Sequence, residues 1–352
     1  MWGVPIERLC IHQLTLMQCG FAESLECLVR HHIPMTAIWH EKLDEVGVVA
    51  ARRALSATGI KPVALCIGGT MSTRDLTRRA EQIELTHRRI DACAELGIES
   101  LLMLTGGLDD GDTDLMAARA RAMDGFHQVL PAARAAGVRL VLEPLHPMVC
   151  GFRSVLSTLA AGCDFLDELG ADDATGLALD TYALWWDLNL TWDIQRAAPR
   201  LRHFHVSDWL VETKDVRLDR GIPGDGLIDN RAIRTAFEAV GFTGPIEVEI
   251  LSNARWWCVP PDELVAEIKE GLESLVDPES GRKAVRRVVR AQLFFQGPYK
   301  MDAPDLLVGY EGGFRNSWEC ATGAVTETVF CDNTKSWSGD HCVDPNIVPG
   351  VF

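Results

Sequence analysis

No run of five or more basic residues occurs in this chain, and its 34 Lys and Arg are outnumbered by 50 Asp and Glu, for a formal net charge of −16 at pH 7. A phosphodiester backbone would be repelled by that field, so nucleic acid is excluded from the expected partners. There is also no apolar run of the roughly 18 to 20 residues needed to cross a bilayer. The N-terminal segment Met1–Gly20 lacks the basic start, continuous apolar stretch and small-residue cleavage site of a signal peptide. The expectation is a cytoplasmic protein with no membrane partner. The 11 cysteines lack the paired CxxC spacing of a zinc knuckle or a disulfide framework, and most read as reduced, small core hydrophobes. Apolar side chains, by contrast, are plentiful: 47% of 352 residues is ample for one large domain plus an appendage.

Short apolar runs alternate with amphipathic stretches about eight times between residue 1 and about residue 275. The runs predict strands at Arg8–Gln13, Met35–Trp39, Pro62–Ile67, Ser100–Leu104, Arg139–Leu142, Gly176–Leu179, Arg202–Val206 and Pro245–Ile250. Between them, apolar residues recur at i, i+3 and i+4 in Ala22–His31, Asp44–Ala57, Arg74–Leu96, Asp114–Ala136, Ser154–Leu169 and Asn230–Val240, which predicts helices. Gly97, Gly137 and Gly241 close three of these helices directly before the next strand. Strict alternation of strand and helix implies parallel strands with right-handed crossovers, and eight units favour a closed (β/α)8 TIM barrel over an open sheet. A doubly wound sheet would want a Gly-rich turn after the first strand, and His12-Gln13-Leu14-Thr15 is not one. Beyond Leu275 the grammar changes: a basic helical pattern at Gly281–Gln292 leads into short, turn-rich segments without a βα unit. The domain boundary is expected near Asp277-Pro278, dividing a barrel of residues 1–275 from a small irregular appendage of residues 276–352.

In a closed barrel the chemistry gathers at the C-terminal ends of the strands. Those ends carry His40, Gly68-Gly69, Thr105-Gly106-Gly107, Glu143 with His146, Asp180, His205 with Asp208, and Glu249. Strands five to eight thus deliver four metal-capable side chains in succession: Glu143, Asp180, His205 and Glu249. One acidic residue at a strand end is commonly a helix cap or a loop charge. Glu143, however, precedes Pro144 and so cannot enter a helix there, and four donors in matching register make a pattern. His203 and Glu247 share a strand face with His205 and Glu249 but lie deeper. His203 therefore reads as a hydrogen-bonded interior residue, and Glu247 as the partner of a cation lower in the barrel. Two Glu, one Asp and one His make an oxygen-rich set that suits one Mn²⁺, Mg²⁺ or Co²⁺ ion better than Zn²⁺. A metal chelating a hydroxyl and the adjacent carbonyl acidifies the C–H between them for removal by a carboxylate.

Leu142-Glu143-Pro144-Leu145-His146-Pro147, Leu179-Asp180-Thr181-Tyr182, Trp185-Trp186-Asp187, His203-Phe204-His205-Val206-Ser207-Asp208-Trp209, Asp219-Arg220-Gly221, Gly224-Asp225-Gly226 and Glu247-Val248-Glu249 resemble the sugar phosphate isomerase/epimerase family, a group of xylose-isomerase-like barrels. The resemblance covers about residues 1 to 275 and implies metal ligands at Glu143, Asp180, His205 and Glu249. It further implies that Glu143 and Glu249 exchange the substrate proton from opposite faces and that Arg220 holds a substrate hydroxyl or the developing enolate oxygen. His146 is assigned to substrate contact, and Trp185 and Trp186 are candidate sugar-stacking walls. One position departs from the pattern: relatives commonly place a histidine three residues after the strand-six aspartate, where this chain has Ala183.

A second resemblance lies in the tail. Asp277-Pro278-Glu279-Ser280-Gly281, Ala303-Pro304-Asp305-Leu306-Leu307-Val308-Gly309-Tyr310 and Trp337-Ser338-Gly339-Asp340-His341-Cys342 are similar to the C-terminal end of a phosphodiesterase/nucleotide pyrophosphatase of the alkaline phosphatase superfamily. The resemblance makes His341 the match of one ligand in a two-metal site, but the nucleophile and remaining ligands of such enzymes lie upstream, where this chain has a barrel. The tail therefore reads as a fusion remnant.

The reading is a metal-dependent isomerase or epimerase acting on a small sugar, ketose or cyclitol ketone. An inosose dehydratase-like lyase shares its first step, and a barrel that keeps metal or sugar binding without turnover is the non-enzymatic alternative. An apurinic-site endonuclease on a related barrel would want a histidine-rich zinc cluster, which the charge and the donor set oppose. Barrels of this type often pair, so a homo-oligomer is the remaining partner class.

Overall fold

The structure, a computed structural model, describes residues 4–170, 173–273, 285–290 and 306–310. Eight parallel strands close on themselves: β1 (Leu9–Ile11), β2 (Met35–Trp39), β3 (Lys61–Cys66), β4 (Ser100–Met103), β5 (Arg139–Leu142), β6 (Thr175–Asp180), β7 (Leu201–Val206) and β8 (Ile246–Val248). Closure is made by β1 against β8, with Leu9, Cys10 and Ile11 opposite Ile246, Glu247 and Val248. The (β/α)8 barrel expected from the alternation is therefore the fold. No helix among the described residues is long and apolar enough to cross a membrane.

Ten helices are described around and after the strands: α1 (Phe21–Arg30), α2 (His40–Val46), α3 (Val48–Thr58), α4 (Leu76–Leu96), α5 (Leu115–Ala136), α6 (Leu159–Leu169), α7 (Thr181–Leu184), α8 (Leu190–Ala197), α9 (Asn230–Ala239) and α10 (Pro261–Glu273). Local chemistry sets their limits. Asp75 caps α4 by accepting from the Thr77 and Arg78 amides, and Asp114 caps α5 by accepting from Ala117. Gly137 ends α5 at φ +68, a left-handed geometry that glycine adopts without a Cβ penalty.

Two helix expectations change. The single helix read at Asp44–Ala57 starts earlier and is cut in two by Gly47, whose φ of +75 interrupts the helical path. The helix read from Ser154 begins only at Leu159, because Ser154 bridges Gly106 and its hydroxyl bonds Thr105 and Leu156. Inside the barrel, Cys10, Ala37, Ala64, Cys66, Val141 and Ala178 form part of a buried cluster. The small size of several of these residues suits the crowded barrel axis. The cysteines among the described residues are free thiols, and Cys10, Cys19, Cys27, Cys66, Cys93 and Cys163 are buried.

The chain divides into two compact units, Val4–Ile268 and a second containing Lys269–Phe352 with Met1–Gly3. This division falls within α10, before the sequence-read boundary at Asp277-Pro278, which itself lies outside the described residues. In the second unit, β9 (Val285–Arg290) pairs antiparallel with β10 (Leu306–Tyr310), Val288 opposite Val308. This corrects the helical pattern read at Gly281–Gln292: three valines in six residues favour a pleated strand once a partner strand supplies the ladder. Apart from Leu306–Tyr310, the motifs of the second resemblance, His341 included, lie outside the described residues.

Candidate active site

Each predicted donor is fixed by the barrel ladder or its direct continuation. The Glu143 amide donates to Met103 O at 3.0 Å and the Glu249 amide to Val206 O at 3.1 Å, so both carboxylates sit one step past their strands on hydrogen-bonded backbone. Asp180 ends β6 and pairs in register with His205 on β7, which in turn pairs with Glu247 on β8. His12 follows β1 and is tied back by its amide to Val248 O at 3.0 Å. The barrel register thus gathers side chains that are remote in sequence at one rim.

Glu143, His205 and Glu249 place one donor atom each within 4.8 Å of one another, and all three are buried. His205 Nδ1 hydrogen-bonds Glu143 Oε1 at 2.9 Å and lies 3.9 Å from Glu249 Oε2. A second group, His12, His205 and Glu247, shares the same imidazole. There, His12 Nε2 meets Glu247 Oε2 at 3.2 Å, while His203 Nδ1 meets Glu247 Oε1 at 2.6 Å. His203 is therefore the hydrogen-bonded interior residue that the sequence implies. The partners of Glu247 are imidazoles.

Asp180 is placed differently from the other three predicted ligands. Its Oδ1 accepts from the Tyr182 amide at 2.9 Å, and its Oδ2 accepts from Arg220 Nη1 at 2.9 Å. The same Arg220 nitrogen donates to Glu249 Oε2 at 3.0 Å, so one guanidinium links the two carboxylates. Asp180 is outside the cluster of mutually close donors, with Arg220 between it and Glu249.

The electrostatics follow from packing so many acids together. At His205, burial opposes a charge, but Glu143, Glu247 and Glu249 outweigh it and push the imidazole up to about 10. Burial alone would lift Glu249, yet Arg220 and His12 hold its carboxyl well below the ordinary carboxylate range. Burial wins at Asp180, where Glu249 and Glu143 add to it and lift the carboxyl to about 6 against the pull of Arg220. His205 Nε2 is buried with no hydrogen-bond partner. That nitrogen faces Glu247 Oε2 at 3.7 Å, whereas Nδ1 is the one that meets Glu143 and Glu249, and these two carboxylates with Nδ1 form an oxygen-rich donor set that fits a divalent cation. Glu143, His205 and Glu249 could hold it once the imidazole gives up its proton as the ion binds, with Asp180 added only by releasing Arg220.

Above this floor a cavity opens, lined by Trp39, Leu104, Glu143, His146, Tyr182, Ala183, His205, Arg220 and Glu249, with Arg153 and Arg217 also in its wall. His146 packs its ring on Trp209 at 5.0 Å, and Arg220 lies 4.4 Å over the Tyr182 ring. Trp185 and Trp186 do not line the cavity. Trp185 packs against Trp209 at 5.7 Å, and the Trp186 indole donates to Ala183 O at 2.8 Å, so local packing holds both and the aromatic walls are Trp39 and Tyr182. Sequence reading missed His12, although the strand-end rule that found His205 applies equally to the end of β1. Tyr182 carried the same signal, two residues past Asp180.

The model of the xylose isomerase-like TIM barrel family matches residues 23–276. An L-ribulose 3-epimerase from Mesorhizobium japonicum is 29% identical over 221 residues, covering 59% of this chain and 67% of that protein. A solved structure from Sinorhizobium meliloti 1021 is 40% identical with a TM-score of 0.73, over 76% of this chain and 97% of its own. The IolI protein with a bound zinc atom is 18% identical with a TM-score of 0.65, over 75% of this chain and 97% of its own, a likeness of fold. With the closed barrel and the rim donors in place, the chain belongs to the xylose isomerase-like TIM barrel family.

Proposed function

We propose that this protein is a divalent-metal-dependent isomerase or epimerase of a small sugar, ketose or cyclitol ketone. The observation that carries the reading is the meeting of two buried carboxylates, Glu143 and Glu249, at His205 on the floor of one cavity. The sugar-epimerase relative supports the same chemistry. Glu249, kept ionised at neutral pH by Arg220 and His12, removes the proton from the carbon next to the substrate carbonyl. Glu143 returns a proton to the other face of that carbon. Arg220 lines the cavity with a buried Nε that has no partner, a donor for a substrate oxygen as charge develops on it. Trp39 and Tyr182 supply apolar walls for the sugar ring or chain, and His146 a polar edge. A divalent ion held by Glu143, His205 and Glu249, with Asp180 as the fourth donor, would acidify that C–H and steady the enediolate, and the oxygen-rich set favours Mn²⁺, Mg²⁺ or Co²⁺ over Zn²⁺.

Deuterium wash-in from solvent, followed across ketoses and inososes with and without Mn²⁺, tests the reading. Exchange that depends on the ion and falls by roughly 10² to 10⁴ in Glu249→Gln and Glu143→Gln is the expected result. Undiminished exchange in both variants would overturn it.

A further inference from the structure

Three arginines face the cavity, and their situations differ. Arg220 is bound to Asp180 and Glu249. Arg153 and Arg217, both half-buried, have no hydrogen bond or ion pair from their guanidinium groups among the described residues. Several other buried or half-buried arginines of the barrel are engaged. Arg89 pairs with Asp44, Arg121 with Asp112, Arg200 with Asp167, and Arg119 donates to Val155 O. In a chain with a net charge of −16, two idle guanidinium groups in one wall are unusual, since acidic partners abound.

The two side chains come from different loops, each with an anchored backbone. The Arg153 amide donates to Val149 O at 2.8 Å, and Val149 itself lines the cavity. Asp215 accepts from the amides of Arg217 at 2.8 Å and Leu218 at 2.9 Å, which fixes the turn beside the cavity. The arginines also act on each other. Burial, then the charge of Arg217, then weakly that of Arg220, disfavour the Arg153 cation, and Glu143 and Glu249 offset this only in part. Two like charges that face one partly desolvated cavity favour an anion as their common partner. A neutral hydroxyl can accept a hydrogen bond but cannot neutralise them, whereas the flat fork of a guanidinium matches carboxylate and phosphate oxygens.

We propose that the substrate carries an anionic group, a carboxylate or a phosphate, clasped by Arg153 and Arg217 while the carbonyl end lies over Glu143 and Glu249. This rests on the isomerase/epimerase reading for the carbonyl end, but the anion clasp is separately measurable. The substrate class is then a sugar acid or a sugar phosphate.

The test uses the full chain and a matched ketopentose series: the neutral sugar, its terminal phosphate, and the keto acid with a carboxylate at the same end. Thermal-shift titration reads binding without turnover, and deuterium exchange reads chemistry. The expected result is at least tenfold tighter binding of one anionic member than of the neutral sugar, with a kcat/KM ratio in the same direction. Which anionic member wins distinguishes carboxylate from phosphate. In Arg153→Gln and Arg217→Gln the anionic-to-neutral ratio should collapse toward one. Equal or better binding of the neutral sugar by the unaltered protein overturns the proposal and needs no variant. If anion preference is present and arginine-dependent while no sugar exchanges deuterium, the clasp stands and the isomerase reading fails. If exchange occurs without anion preference, the reverse holds.

Discussion

Glu247 is completely buried, and its two carboxylate oxygens are held by His12 and His203. Burial would raise its carboxyl, but His203, His12 and His205 overcome that and hold it far below the ordinary range. Removing one partner of such a buried set leaves polar nitrogens with nothing to bond. Glu247→Ala should therefore lose about 3–5 kcal/mol of stability, and Glu247→Gln about 1–3 kcal/mol, read as shifts in urea midpoint. Lys42 gives a pH prediction away from the site. It is 4% exposed, its ammonium donates to Leu16 O at 2.6 Å, and burial lowers it from the ordinary 10.5 to about 8. Between these values the unfolded chain holds a proton that the folded chain has released, so stability rises with pH through that window, by about 1.4 kcal/mol per unit. The gap between the unaltered protein and Lys42→Met should accordingly be flat below pH 8 and move in favour of the unaltered protein up to 10.5. A gap that does not vary with pH would mean that Lys42 stays charged in the fold. Alternation along a strand was enough to rank Glu247 deeper than Glu249 and His203 deeper than His205. It could not show that His12 completes the set, because that contact depends on closure of β1 against β8.

At the level of elements, the loop that carries Arg220 depends on one carboxylate. Asp208 is completely buried, and its Oδ1 accepts from the amides of Trp209 and Ile228 at 2.9 Å each, while Oδ2 accepts from Gly224 at 2.7 Å. A two-residue antiparallel ladder, Asp208–Trp209 with Arg220–Gly221, closes the loop at its base. Asp208→Ala would leave those amides unsatisfied and free Arg220 from its position over Tyr182. We expect a stability loss of about 1–3 kcal/mol and a fall in deuterium exchange of at least tenfold, with circular dichroism of the barrel retained. Full exchange in this variant would show that Arg220 is held by its carboxylate partners alone. The sequence marks Asp208 as a strand-end acid but not its job, since its partners stand 16 and 20 residues further on. Long helices were more legible: α4 and α5 carry an Asp at one end and a Gly at the other, and both signals act within a few residues. The β9–β10 pairing was not legible, because a valine-rich segment adopts a strand only where a remote partner meets it.

On the scale of the whole molecule, eight-fold alternation implied closure, and closure brings Glu143, His205 and Glu249 together. The insertion of Arg220 between Asp180 and Glu249 was hidden, because it requires the β6, β7 and β8 ends and the following loop all in place. Where the barrel's own chain ends can be argued from α10. Its residues Leu264, Val265 and Ile268 have no exposed surface, and Asp262 pairs with Arg30 and His31 at the end of α1. Large-to-small losses at such sites cost about 2–5 kcal/mol each, and three together rival the roughly 5–15 kcal/mol that stabilises a whole domain. The exposed Arg30–Asp262 pair adds little beside them. A chain ending after Leu275 keeps these contacts and should melt cooperatively, with its Mn²⁺ stoichiometry unchanged. A chain ending after Pro260 should lose the cooperative transition. If the chain ending after Leu275 also fails to fold, the residues beyond α10 are part of the barrel's stability, and residue 275 is the wrong place to divide the protein.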